Sequence, residues 1–403
     1  MQMQALRKVP APAHSFHLPQ APQGRSWVTP GAPEPAGGGG GCRGSTCLHR
    51  QEVCGSGEGA RLGCCDRGKS QARRKAKLWA INKIPGTYLS AALQGHHFIL
   101  GMFSELKFPV PWGHVAAKAW GSSEGHPVLC LHGWLDNANT FDKLIPLLPR
   151  GCYYVAMDFS GHGLSSHRPA GSPYHFLDYV TDVRRVAAAL QWRRFTLMGH
   201  SMGGSVAGMF CSLYPEMVDK LILLESLGFM LAAEDTDAWL KSKRMVIDRL
   251  LSLEAKQQTP KARSPEAALQ RLLEANRHLT AEGGAILLQR GATETPAGLV
   301  YNRDMRVRTS QEAFTVEQCV ELLQKIQDRA LIILAQDGLL VPHKLDSRNH
   351  FAKTLQEEFE STLKEHIQLV EVPGSHFVHL NEPEVVSGII SNFLTVQNTR
   401  ARL

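Results

Sequence analysis

No run of eighteen or more apolar residues occurs in this 403-residue chain, which excludes a segment able to cross a bilayer as a helix. No apolar stretch follows the start in the manner of a secretory leader. The nine cysteines lack the paired Cys-x-x-Cys spacing and histidine partners of a zinc site. A basic surface suited to nucleic acid is missing as well. The formal charge of +7 comes from the first hundred residues, where 13 Lys and Arg stand against 4 Asp and Glu. From Gly101 onward the balance is 31 against 33, close to neutral.

Cysteines divide at the same place. Cys42, Cys47, Cys54, Cys64 and Cys65 precede residue 100, whereas Cys130, Cys152, Cys211 and Cys319 sit singly in apolar stretches, as buried free thiols do. That usage fits a reducing compartment. Residues 1–100 hold seven prolines between Pro10 and Pro35, then the run Gly37 to Gly41, with no hydrophobic periodicity. Such a segment buries too little apolar area to offset its ordering entropy, so a disordered basic extension is expected there. Its cluster Arg73, Arg74, Lys75, Lys77 reads as a solvated charge run.

Beyond residue 101 the pattern becomes that of a folded domain. Leu106 to Val110 and His114 to Trp120 flank a Pro-Trp-Gly turn and predict a strand pair. Short apolar runs follow at Val128–Leu131, Tyr153–Asp158, Phe195–Gly199, Leu221–Leu224, Ala330–Ala335 and Ile367–Val372. Runs of this length suit strands buried on both faces, and helix-spaced stretches such as Leu177–Leu190 lie between them. The alternation predicts an α/β fold, a mostly parallel sheet with helices on both faces. Between Glu225 and Ala330 no convincing buried strand appears, while 237–253 and 265–279 are helical in period. The expected layout is a core over 101–226 and 329–397, a helical cap inserted over 227–328, and a flexible tail over 398–403.

The chemistry concentrates at a few positions. Gly199-His200-Ser201-Met202-Gly203 follows a strand-like run directly. A strand that reverses sharply into a helix there holds the serine exposed on a strained bend, and flanking glycines relieve the crowding. Ser201 is the expected nucleophile. A hydroxyl needs a base, and His376 lies on a Pro/Gly loop after the last strand; His379, three residues on, is the rival and fits a packing or capping role. The acid belongs after one of two strands, which leaves Asp337 and Glu225 as alternatives, Asp337 slightly preferred. Backbone amides of Met202 and Trp134, the latter in Leu131-His132-Gly133-Trp134, are the expected oxyanion donors. The Gly-rich turn from Asp158 to Ser165 reads as structural.

Together, His132-Gly133-Trp134, Asp158 through Ser165, Gly199 through Gly203 and Gly374-Ser375-His376 resemble the capped α/β-hydrolases, and among them the mammalian serine hydrolase-like proteins. The resemblance spans about residues 105–394 and implies the α/β-hydrolase fold. Relatives with epoxide hydrolase or dehalogenase activity carry an aspartate nucleophile, whereas Ser201 favours acyl transfer to water. One departure stands out. The resemblance implies an aspartate three residues before the Val341-Pro342 pair, where this chain has Gly338, with Asp337 one position early.

The expected function is hydrolysis of an ester, thioester or related acyl bond of a small-molecule substrate through an acyl-Ser201 intermediate, without metal or organic cofactor. The alternatives are a hydrolase fold that binds a ligand or partner without turnover, and a carbon–carbon bond hydrolase. Ala401-Arg402-Leu403 resembles the tripeptide read by the peroxisomal import receptor, which implies a peroxisomal location, with a cytoplasmic pool beside it as a further expectation.

Overall fold

The computed structural model describes residues 102–230, 235–255, 261–309, 313–326, 329–340, 357 and 366–396, all within one unit of the chain, 68–403. The expected N-terminal extension and the C-terminal tripeptide lie outside the described residues.

Ten strands occur among the described residues, in chain order: β1 Ser104–Val110, β2 Gly113–Trp120, β3 His126–Leu131, β4 Cys152–Met157, β5 Phe195–His200, β6 Val218–Leu224, β7 Ala292–Thr295, β8 Gly298–Tyr301, β9 Arg329–Asp337 and β10 Ile367–Ser375. Eight of them form one sheet in the order β1-β2-β4-β3-β5-β6-β9-β10. β1 pairs antiparallel with β2, and β2 with β4; every other pairing in that sheet is parallel. The α-helices among the described residues are α1 Phe176–Ala189, α2 Met202–Leu213, α3 Thr236–Ala255, α4 Pro265–Ala275, α5 Ala281–Gly291, α6 Val316–Gln324, α7 Val378–Asn381 and α8 Glu384–Thr395. None of the described helices is long and apolar enough to cross a membrane.

The central strands are apolar at consecutive positions because both faces of the sheet are covered. Leu129, Leu131, Leu197, Leu221, Leu223 and Ile332 join Val183, Val206 and Phe210 from α1 and α2 in one core. Their neighbours Val128, Cys130, Met198, Ile222 and Ile333 turn the other way, towards Ile390 and Phe393 of α8. This period-two division places helices on both sides of the sheet. Cys130, Cys152, Cys211 and Cys319 are buried and form no disulfide.

The segment between β6 and β9 holds α3 to α6 and the β7–β8 hairpin. Sequence pattern does not mark α5 or the hairpin. The strands are four residues each and only half buried, and α5 contains Gly283 and Gly284, poor helix formers. Gly284 lies close against α4, where a β-carbon would come within 2.8 Å of the tip of the Leu269 side chain. Thr280 starts α5 by accepting a hydrogen bond from the Gly283 amide.

α5 is tied to the sheet through polar side chains. Arg290, 4% exposed, donates from Nε to Asp158 at 2.8 Å and from Nη1 to Glu105 at 2.7 Å. Asp158 is fully buried and also accepts from the Ala138 and Leu164 amides. Asn137 and Asn139 donate to the carbonyls of Leu287 and Ile286. Removing the cation leaves a buried carboxylate without its countercharge. Arg290→Ala is expected to lower unfolding free energy by about 3–5 kcal/mol in denaturant titration, and a loss under about 1 kcal/mol would contradict the anchoring role.

Candidate functional site

The C-terminal ends of β5, β6 and β10 meet at one edge of the sheet, where open α/β folds bind ligands. Ser201 lies between the last residue of β5 and the first of α2, at φ 51° and ψ −118°. Side chains other than glycine rarely adopt such a conformation, and holding it costs about 1–3 kcal/mol. Backbone contacts hold it: the Ser201 amide donates to the Leu224 carbonyl at 3.0 Å. A β-carbon on Gly199 would overlap the backbone of Gly203 and Gly204, and one on Gly203 would overlap the carbonyls of Leu131 and His132. Both glycines of the bend are therefore required by close approach.

His376 follows β10 directly, beyond Gly374 at φ 120°. Its imidazole is 7% exposed, with Nε2 3.1 Å from Ser201 Oγ and Nδ1 3.0 Å from Glu225 Oε2. A carboxylate accepts, so Nδ1 carries the proton and the Nε2 lone pair faces the serine hydroxyl. Glu225 is 2% exposed and stands just past β6 at φ 52°, a second strained position. Its Oε1 accepts from the Ala335 amide at 2.5 Å, and its Oε2 from the Leu339 amide at 3.1 Å. The Glu225 amide in turn donates to the Ile333 carbonyl at 2.8 Å. The Glu225 carboxylate is thus held by the segment of the neighbouring strand β9 as well as by its own.

Of the two candidate acids, the structure brings only Glu225 to His376, which corrects the preference for Asp337. β9 continues as strand through Asp337, which pairs in register with Ser375 and leaves its side chain exposed. The next residue supplies the physical reason. A β-carbon on Gly338 would overlap the Glu225 carboxylate, so the side chain missing from β9 makes the space that Glu225 fills from β6.

The loop after β3 lies against the serine. A β-carbon on Gly133 would sit 3.5 Å from Ser201 Cβ, which places Trp134 next to the nucleophile along the chain. The Trp134 indole, 41% exposed, donates to the Val307 carbonyl at 3.2 Å. Met202 opens α2, so its amide has no acceptor within the helix. His132 donates from Nδ1 to the Gly133 carbonyl and accepts the Phe159 amide at Nε2, which ties this loop to the end of β4.

Two side chains that pattern alone does not single out support the base. His200 donates from Nε2 to the His376 carbonyl at 2.9 Å. Asn381 contacts the segment carrying His376 and the insertion together. The rival His379 is fully buried, shares a 2.9 Å hydrogen bond with Thr140, and packs 4.2 Å from the His200 ring. Among the described residues no group of three or more His, Cys, Asp or Glu is arranged to hold a metal.

The buried imidazoles dominate the electrostatics around the site. Burial lowers His132 to about 4 and His162 and His379 to about 3, and holds His200 well below the ordinary range. An unfolded chain takes up these protons near pH 6.5, and the fold refuses them until far lower pH, so stability is lost as pH falls below about 6.5. Asp136 and Asp142 oppose this, since burial raises them to about 7 and about 6. His162→Leu removes one proton from the imbalance. Between about pH 5.5 and 4, unfolding free energy measured against pH is expected to fall less steeply by about 1.4 kcal/mol per unit than in the wild type. An unchanged slope would mean that His162 is protonated in the fold.

Comparison with known proteins agrees with this geometry. The profile of the alpha/beta hydrolase fold family matches residues 126–383. Human serine hydrolase-like protein 2 is 50% identical over 297 residues, covering 73% of this chain and 95% of the relative. A mouse serine hydrolase-like protein is 48% identical over 303 residues, covering 73% and 96%. Among solved structures, a hypothetical protein from Pseudomonas aeruginosa PAO1 matches with a TM-score of 0.64 at 30% identity, over 72% of this chain and 99% of that one. The thioesterase domain from the curacin biosynthetic pathway matches with a TM-score of 0.59 at 25% identity, over 72% and 99%. Fold, bend and relatives converge, and the chain belongs to the α/β-hydrolase family, in the group of serine hydrolase-like proteins, as a hydrolase.

Proposed function

We propose that this hydrolase cleaves an ester, thioester or related acyl bond through an acyl-Ser201 intermediate. The observation that carries the proposal is the unbroken run Ser201 Oγ, His376 Nε2, His376 Nδ1, Glu225 Oε2, with gaps of 3.1 and 3.0 Å. In the first half-reaction His376 Nε2 removes the hydroxyl proton as Ser201 Oγ attacks the acyl carbon. Negative charge collects on the carbonyl oxygen, where the Met202 and Trp134 amides donate to it. Glu225 stabilises the imidazolium and fixes its tautomer. The imidazolium then gives its proton to the departing alkoxide or thiolate. In the second half, His376 takes a proton from water, whose oxygen attacks the acyl carbon; the imidazolium then returns that proton to Ser201 Oγ as the acyl–oxygen bond breaks and the acid is released.

The likeness to a thioesterase domain is in keeping with acyl chemistry of this kind. A complete nucleophile, base and acid also speaks against a fold that only binds, since such a protein has no need to keep a buried carboxylate on the imidazole. Segment 227–328, read as a cap, would then bound the acyl pocket.

A fluorophosphonate probe is expected to label the wild type and to leave Ser201→Ala unlabelled; a folded wild type that resists labelling contradicts the proposal. Glu225→Gln should lower kcat by about 10,000-fold, whereas Asp337→Asn should stay within about twofold of the wild type. The space shared by residues 225 and 338 gives a sharper test. Gly338→Asp alone should inactivate by displacing Glu225, and Gly338→Asp with Glu225→Ala should regain at least about tenfold over Glu225→Ala in ester hydrolysis. A double variant no better than Glu225→Ala would show that the two positions do not share one role.

A further inference from the structure

The acid–base histidine is gripped from the insertion's side as well as from the sheet. Asn381, the last residue of α7, stands one turn beyond His376 and its amide donates to the Phe377 carbonyl at 2.8 Å. Its side chain reaches in two directions. Nδ2 donates to the His278 carbonyl at 2.8 Å and to Ser375 Oγ at 3.3 Å. Oδ1 accepts from the Thr280 amide at 3.2 Å and from Thr280 Oγ1 at 2.9 Å. These four bonds use the full capacity of a carboxamide, two donors and two acceptor lone pairs, and only one orientation of the group satisfies them all.

The partners matter more than their number. Ser375 is the residue before His376, and its hydroxyl donates to the same His278 carbonyl at 3.0 Å. His278 and Thr280 belong to the insertion, between α4 and α5. The His278 ring lies edge-on to the His376 ring, with centroids 6.1 Å apart. A second tie runs alongside, since Lys143 reaches the Asn381 carbonyl at 3.5 Å and Glu282 of α5 at 3.3 Å. Residues on both sides of the imidazole are therefore pinned to the start of α5.

We infer that Asn381 is a positioning residue for the reaction: it clamps the segment 375–381 to the insertion so that His376 keeps its place between Ser201 and Glu225 while substrate occupies the site. The inference rests on the acyl-enzyme reading for its kinetic consequences and on geometry alone for its structural ones. Asn381 touches neither Ser201 nor Glu225 in the structure, so its effect passes through His376. Proton transfer is steep in distance, and displacement of a reacting group by about 1 Å costs about 100-fold in rate.

The test compares wild type, Asn381→Ala and Asn381→Asp in hydrolysis of p-nitrophenyl acetate, with thermal unfolding giving the folded fraction. Asn381→Asp keeps the acceptor for Thr280 and loses both donors, so it serves if the alanine variant folds poorly. Asn381→Ala is expected to lower kcat per folded molecule by about 100-fold with KM within about twofold, and Asn381→Asp to fall between. A spectroscopic readout runs in parallel. The downfield proton resonance of His376 Nδ1–H, assigned by its loss in Glu225→Gln, should shift or broaden in both Asn381 variants. An unchanged kcat with an unchanged resonance overturns the inference, and so does a raised KM at constant kcat. If the wild type neither hydrolyses the ester nor takes the probe, the acyl-enzyme reading fails, while the resonance still decides whether Asn381 positions His376.

Discussion

A carboxylate that starts from β6 and a histidine that starts from β10 are separated by the whole width of β9, and everything at the site depends on how that distance is crossed. The crossing is made over Gly338, just past the end of β9, where the backbone carries no side chain and Glu225 occupies the space above it. The amides of Ala335 and Leu339 then hold the carboxylate oxygens in place. Any side chain at residue 338 competes for the same volume. The position of the acid and the bareness of Gly338 are two expressions of one packing constraint.

Strained backbone is the second ingredient, and it is concentrated where chemistry is expected. Ser201 and Glu225 both sit at positive φ immediately after their strands. Each is locked there by a hydrogen bond from its own amide to an adjacent strand, to Leu224 and Ile333 respectively. The sheet below is close-packed on both faces, so the strain does not relax into it. Around the base, neutral buried imidazoles take the place of charged groups. His200 packs against His376, and His379 against His200, without adding positive charge, which leaves Glu225 as the carboxylate hydrogen-bonded to His376.

Much of this was legible in the sequence because the physics involved is local. Both-face burial makes the inner strands of the large sheet continuous apolar runs, and the bend around Ser201 announces itself through Gly199 and Gly203. His376 is marked by the turn that frees it from β10. What stayed ambiguous depends on contacts between distant segments. Spacing revealed that Gly338 stands where an acid was expected, but not that Glu225 fills the gap from another strand. The helix α5 was hidden because Gly283 and Gly284 lower its propensity, and their reason, close approach to α4 and Asn381, exists only in three dimensions. Asn381 carried no signal at all, since a polar residue before Glu-Pro-Glu looks like an ordinary helix start.

The proposed reaction requires the Ser201 oxygen, the His376 imidazole and the Glu225 carboxylate to act as one unit on an acyl group. A crystal structure of the protein after reaction with a phosphonate ester tests it most directly. Phosphorus is expected bonded to Ser201 Oγ, its free oxygen about 2.7–3.1 Å from the Met202 and Trp134 amides, and His376 still bridging to Glu225. Phosphorus on another residue, or a His376 that leaves Glu225 for Asp337 in the adduct, would contradict it.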